Sequence, residues 1–251
     1  MAAGPEDVLG LADVAVHFGG IRAVDGVSMT VRRGERWAVI GPNGAGKTTL
    51  FRAISGEVYP TRGQITLYGS EVTRTPPYRR AQRGLARTYQ ITNLFSGLTV
   101  EENVVVAAYG GSPARFRCWW PVRLRGELGE RVDAALEQVG LSRRRRSDVA
   151  QLSHGEQRQL ELALALAGRP SVLLLDEPAA GLSASDRTVM RSLIGGLSRD
   201  LTVVLIEHDM HLALDLADRV LCLDDGAAIA QGTPEEIRAD EQVQAVYLRS
   251  D

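Results

Sequence analysis

Lysine is nearly missing from this 251-residue chain: it occurs once, at Lys47, and the rest of the 29 basic residues are arginine. Base bias in the genome is one source of that arginine. The single exception marks a position where the planar guanidinium fork will not serve and a compact point charge on a thin stem will. Chance is the competing explanation, and the neighbours of Lys47 must decide. Cysteine is scarce too. Cys118 and Cys222 lie far apart in no metal-ligand spacing, which fits a reducing compartment. No apolar run approaches the roughly 18 residues that a membrane span needs, so any membrane role goes through a partner. The opening "MAAGPEDVLG" lacks the basic and apolar regions of a signal peptide. A net charge of −2 gives no general attraction to nucleic acid or anionic lipid. Internal repeats and low-complexity segments are absent. The length suits one large domain, or a domain with a subdomain, around a large core.

What is present gathers around Lys47. "GPNGAGKTT", Gly41 to Thr49, fits G-x-x-x-x-G-K-[ST]. An apolar strand, "RWAVI", precedes it, and a helical stretch closed by Gly56 follows. Strand, glycine loop and helix form the context that a phosphate-binding loop requires, whereas an ordinary glycine-rich turn does not need these flanks. Gly41, Pro42, Asn43, Gly44, Ala45 and Gly46 form the loop. Gly44 and Gly46 let backbone N–H groups turn inward, and the helix N-terminus adds partial positive charge. Lys47 is placed to reach the β- and γ-phosphates and Thr48, followed by Thr49, to bind Mg²⁺ through its hydroxyl.

Two buried strands complete the expected crevice. "SVLLLDEP" runs through Val172–Leu175 to Asp176, a candidate for holding Mg²⁺ through water, and Glu177, a candidate general base. Two solvated carboxylates at a strand end are the bland alternative. "LTVVLIEHDM" puts His208 just past a strand end on the same edge, within reach of a γ-phosphate or simply structural.

A second anion-ready helix start is unexpected. In "LSHGEQ", Ser153 is a good N-cap and Glu156 completes a capping box. Thr99 and Glu102, and Thr233 and Glu236 behind Pro234, repeat the pattern. Leu128, Val132, Ala135 and Val139 fall on one helical face. Leu94, Phe95 and Leu98 present either a docking surface or core. "SPARFRCWWPVRLR" sets Trp119 and Trp120 among arginines, suited to a partner surface, lipid headgroups or a loop tucked under a subdomain. Arg143–Arg146 reads as a solvated turn.

Together these motifs, in this order, resemble the ATP-binding subunits of ABC transporters over nearly the whole chain. The resemblance implies an α/β fold: a P-loop NTPase core with a mostly parallel sheet, an antiparallel β subdomain near the N-terminus and an inserted helical subdomain. It implies one domain over 1–251, with its core at about 1–90 and 166–232, helical subdomain at 91–165 and a helical tail at 233–251. It makes Gln90 the glutamine loop, serving catalysis and Mg²⁺, His208 the switch histidine beside Glu177 and Lys47, and Phe18 the aromatic that stacks on adenine. In similar proteins two ATPase domains meet head to tail and bury two ATP molecules, so Ser153, Gly155 and Glu156 would contact the ATP held by a partner. Two departures stand out: His154 replaces the commonest glycine of the signature, and Ser183 replaces the aspartate that usually ends the D-loop.

"FGGIRAVDGVSMTV", "EPAAGLS", "IEHDM" and "GTPEEIRADEQVQAVYL" look like ATP subunits that power branched-chain amino acid import. ATPases of urea or amide import and of lipopolysaccharide export are near neighbours. A soluble ABC ATPase outside transport is a more distant one. The resemblance implies ATP and Mg²⁺ as ligands, permease subunits as partners, a homodimer or heterodimer, and indirect dealings with a substrate-binding protein. It implies peripheral attachment to the cytoplasmic face of the cell's inner membrane.

Overall fold

A computed structural model describes residues 7–88, 94–110 and 126–248. The chain opens with two long strands, β1 (Asp7–Phe18) and β2 (Ile21–Arg32), then β3 (Arg36–Ile40) and α1 (Lys47–Ser55). Next come β4 (Arg62–Leu67), β5 (Ser70–Glu71), α2 (Pro77–Gln82), β6 (Leu85–Arg87), α3 (Val100–Gly110), α4 (Glu127–Gln138) and α5 (His154–Ala167). The remainder is β7 (Val172–Asp176), α6 (Ala184–Gly195), β8 (Thr202–Ile206), α7 (Met210–Leu216), β9 (Arg219–Asp224), β10 (Ala227–Gly232), α8 (Pro234–Ala239) and α9 (Glu241–Leu248).

The strands form two sheets. An antiparallel sheet has the order β2-β1-β4-β5, and a larger one has the order β10-β9-β3-β8-β7-β6. Within the larger sheet β9, β3, β8, β7 and β6 pair in parallel, and β10 closes the edge antiparallel. β3, β7 and β8 are buried along their whole length, as their unbroken apolar sequences predict.

Strand alternation divides the core. Ala38, Ile40, Leu173, Leu175, Val203 and Leu205 face one cluster, shared with α3, α4, α5 and α6. Trp37, Val39, Val172, Leu174, Val204 and Ile206 face the other, shared with α1 and the antiparallel sheet. The fold therefore places α1 in one layer and the helical subdomain in the other, with the ends of β3, β7 and β8 between them.

Helix starts follow the sequence closely. Thr99 and Glu102 exchange hydrogen bonds at the start of α3, as do Thr233 and Glu236 at α8. On α4, Val132, Ala135 and the following Val139 are buried, with Leu128 packed at the margin. α5 runs through residue 165, so one continuous helix joins the helical region to the core. The arginine run is not wholly solvated: Arg144 pairs with Glu156 at 3.0 Å, and Arg145 pairs with Glu101 and Asp133. These pairs tie the turn to α3, α4 and α5.

Arg80 on α2 is fully buried. Its guanidinium donates to the carbonyls of Ala53, Ile54, Val72, Thr73 and Thr75. Two of those carbonyls belong to the last turn of α1, so this side chain pins the helix that follows the glycine loop.

Candidate active site

β3 delivers the chain to the glycine loop at the C-terminal edge of the parallel sheet, where ligand crevices form in such folds. Gly46 has φ +98, and a Cβ there would lie 2.2 Å from the Ala23 carbonyl oxygen. Its backbone must bend this way, and β2 leaves no room for a side chain. Gly44 also has positive φ but faces open space. α1 starts at Gly46 without a side-chain cap, so its first N–H groups remain for a ligand. The cleft outside has a volume of about 560 Å³ and is lined by residues 43–49 with Ile21, Arg22, Ala23, Glu177, His208 and Asp225.

Lys47 is 5% exposed, and its ammonium donates to the carbonyls of Gly41 and Pro42 at 2.7 and 2.8 Å. Burial lowers its pKa, opposed first by Glu177 and then by Cys222 and Asp176. The cation is held on the loop within the influence of both acidic residues.

Asp176 ends β7 with one carboxylate oxygen accepting from Arg87 at 2.7 Å. Its other oxygen, Oδ1, is buried with no protein partner. Burial pushes this carboxyl above its ordinary pKa, and Arg87 opposes the shift. A buried, unpaired oxygen is the donor a hard cation needs. Among the described residues no cluster of three His, Cys, Asp or Glu could hold a metal. The unpaired carboxylate oxygen fits a hard cation that takes its remaining oxygen ligands from a bound molecule or water.

Glu177 follows Asp176 with φ +50, a left-handed conformation uncommon outside glycine, and its N–H donates to the Ile206 carbonyl. That backbone bend carries the side chain toward β8. There its Oε1 lies 2.6 Å from His208 Nε2. Acid and imidazole thus meet across the ends of two strands, at the cleft rim.

The signature residues do not line this cleft. Ser153 caps α5 and exchanges both capping-box bonds with Glu156, at 2.9 and 3.2 Å. Gly155 is buried where a Cβ would stand 2.6 Å from Asp186 Cγ at the start of α6. His154 fills its departure from glycine by standing near Gly181, whose added Cβ would be 3.4 Å from the ring. Ser183 caps α6 by accepting from Asp186 N. Phe18 is 48% exposed at the tip of the β1–β2 hairpin opposite Ile21, which does line the cleft. Gln90, Trp119 and Trp120 lie outside the described residues.

The model of the ABC transporter family matches residues 24–180, more than half of the chain. This chain belongs to the ABC transporter ATP-binding family. A second model, of the branched-chain amino acid ATP-binding cassette transporter, matches residues 229–248 of this ABC ATPase. It is 38% identical over 248 residues to the high-affinity branched-chain amino acid transport ATP-binding protein BraF of Pseudomonas aeruginosa, covering 96% of this chain and 97% of that one. It is 35% identical over 250 residues to LivG of Escherichia coli K12, a protein of the same description, covering 97% and 98%. Among solved structures it is similar to the ADP conformation of MJ1267, an ATP-binding cassette of an ABC transporter. That match has a TM-score of 0.86 at 27% identity and covers 96% of this chain and 98% of that one. The expected fold and ATPase class follow from these matches. Among the described residues, no helix of the ABC subunit is long and apolar enough to cross a membrane.

Sequence reasoning missed two residues at the site. Arg87, on β6, holds Asp176 and also pairs with Glu57 at 2.9 Å. Glu207 is 4% exposed and accepts from Ala179 N at 3.1 Å. Burial is the main cause that pushes its pKa to about 7. The available signal was a carboxylate closing the apolar run "TVVLIE"; nothing local announced Arg87.

Proposed function

We propose that this ATPase drives branched-chain amino acid import as the peripheral subunit of a membrane transporter, on the cytoplasmic side. The match of its tail to the branched-chain family model and the kinship with BraF and LivG support this substrate class. The ATPase does not touch the amino acid. A substrate-binding protein and permease subunits handle it.

The observation that carries the chemistry is the 2.6 Å contact between Glu177 and His208 at the cleft rim. Glu177 takes the proton of the attacking water, and His208 holds that carboxylate in position. Lys47, Thr48, Thr49 and the N–H groups of the glycine loop bind the phosphates. Thr48, Asp176 and Gln90 would hold Mg²⁺, which would neutralise charge developing on the phosphates. Phe18 supports the adenine. Ser153, Gly155 and Glu156 meet the nucleotide of a second cassette, either a copy of this chain or a related ATPase. Their place outside their own cleft supports that arrangement.

A groove of about 690 Å³ between α2, β6, α3 and α5 suits a short permease helix. Tyr78 stands exposed on its wall, and Phe95 is exposed nearby in sequence to α3. Buried Asn103 fixes Phe95 through both its N–H and its carbonyl. Phe95, anchored by its backbone yet exposed, fits docking better than core packing.

Two measurements test the proposal. Glu177→Gln keeps ATP binding, lowers turnover roughly 10²- to 10⁴-fold and accumulates a dimer in ATP; hydrolysis near the wild-type rate removes Glu177 as base. Purification from membranes should recover permease subunits, and reconstituted transporter should take up leucine when ATP is supplied. Uptake of a urea-type solute in place of leucine would overturn the substrate class.

A further inference from the structure

The tail does more than cover the core. α8 and α9 are docked by buried Ile237 and Val243, and Asp240 accepts from the N–H groups of Gln242 and Val243 at the start of α9. One turn farther, Tyr247 packs against the same core cluster. Its hydroxyl oxygen accepts a hydrogen bond from Gly41 N at 2.9 Å.

Gly41 is the first residue of the glycine loop and is confined on every side. Its φ is +143, and a Cβ would fall 2.1 Å from the Leu223 carbonyl oxygen. Its own carbonyl accepts from Lys47 Nζ at 2.7 Å. A single residue therefore joins the hydroxyl of the tail to the ammonium of the phosphate site. Burial pushes the phenol's pKa up to about 12, so the group stays neutral throughout the physiological range.

We infer that Tyr247 is a positioning residue for nucleotide: through Gly41 it fixes the entrance of the glycine loop and the seat of Lys47, and so makes the C-terminal tail part of the ATP-binding apparatus. This rests on Lys47 acting as the phosphate cation. The segment matched by the branched-chain family model, residues 229–248, thereby acquires a role at the ATP site besides any role in the choice of partners.

The test uses the full chain and three variants. Tyr247→Phe keeps the ring and deletes only the acceptor. Fluorescent ATP-analogue titration and steady-state ATPase assays should show Kd and KM for MgATP raised roughly 5- to 30-fold, because the cost of the stranded Gly41 donor falls on the nucleotide-bound loop, with kcat within about 2-fold. Val243→Ala, which only trims the packing of the same helix and leaves its other anchors and the hydroxyl in place, should leave both constants near wild type. A Tyr247→Phe protein with wild-type KM, or a Val243→Ala protein with the same defect, overturns the inference in favour of packing alone. Lys47→Ala separates the two levels. If it binds ATP as wild type does, the assignment of the phosphate site itself fails. If it does not, and Tyr247→Phe is indistinguishable from wild type, only the role of the tail fails.

Discussion

The two anion-ready helix starts differ in one respect that decides their behaviour. α1 begins at a left-handed glycine with no side-chain cap, whereas α5 begins with a closed capping box between Ser153 and Glu156. Both offer N–H donors and the positive end of a helix. The first is open as built. The second must release part of its cap before Ser153 can turn to phosphate, a rearrangement that costs about 1 kcal/mol. Such a difference suits one site that binds first and another that engages only when a partner brings ATP to it.

The sharpest way to break this contrast is Ser153→Arg. It should lower hydrolysis at least about 100-fold while single-cassette ATP affinity stays within about 3-fold, measured by calorimetry at low protein concentration without Mg²⁺, so that neither turnover nor dimerisation intervenes. A large loss of affinity would place α5 in the cleft of its own subunit and erase the distinction.

Glu207, buried just past the end of β8, links the stability of the strand ends to pH. Its pKa is raised to about 7, so the folded protein keeps a proton that the unfolded chain releases above about pH 4.5. The corresponding stability is complete below that pH and is lost as pH rises through 7. Urea unfolding between pH 5 and pH 8 should therefore show the wild type losing on the order of 2–3 kcal/mol more than Glu207→Gln. Parallel pH profiles would remove Glu207 as the titrating group.

Lys47→Ala should weaken ATP binding roughly 10- to 100-fold by removing a charge-assisted contact. Cap stability of α5 should be unchanged, as hydrogen exchange on its first turn would report. The smallest effect belongs to Glu156→Ala. It opens half of the capping box and the Arg144 pair, and should cost about 1 kcal/mol of stability without changing single-cassette ATP affinity. An unchanged melting temperature would mean that the box contributes nothing in solution.

How much of this was legible beforehand follows the range of the forces involved. β3, β7 and β8 appear in the sequence as apolar runs because their burial leaves them no polar face. The caps at Thr99, Ser153 and Thr233 were legible because both partners lie within one turn. The glycine loop declared itself because its chemistry requires fixed spacing. Arg87 against Asp176, Arg80 against the end of α1, and Tyr247 against Gly41 were not legible. Each joins residues far apart in sequence, and no local period records such a meeting. The glycine at 155 read as a phosphate contact; what the structure shows is that its missing side chain makes room for Asp186. One residue can answer to two constraints, and the sequence displays only their product.

Arg80 gives α1 a further property. Among the described residues the acceptors of this buried guanidinium are carbonyl groups, including two at the negative end of the helix dipole. That end is permanently neutralised by an internal cation, while the opposite end presents uncapped donors. An arriving phosphate therefore completes a charge balance already half built: the helix becomes compensated at both poles only when nucleotide is aboard.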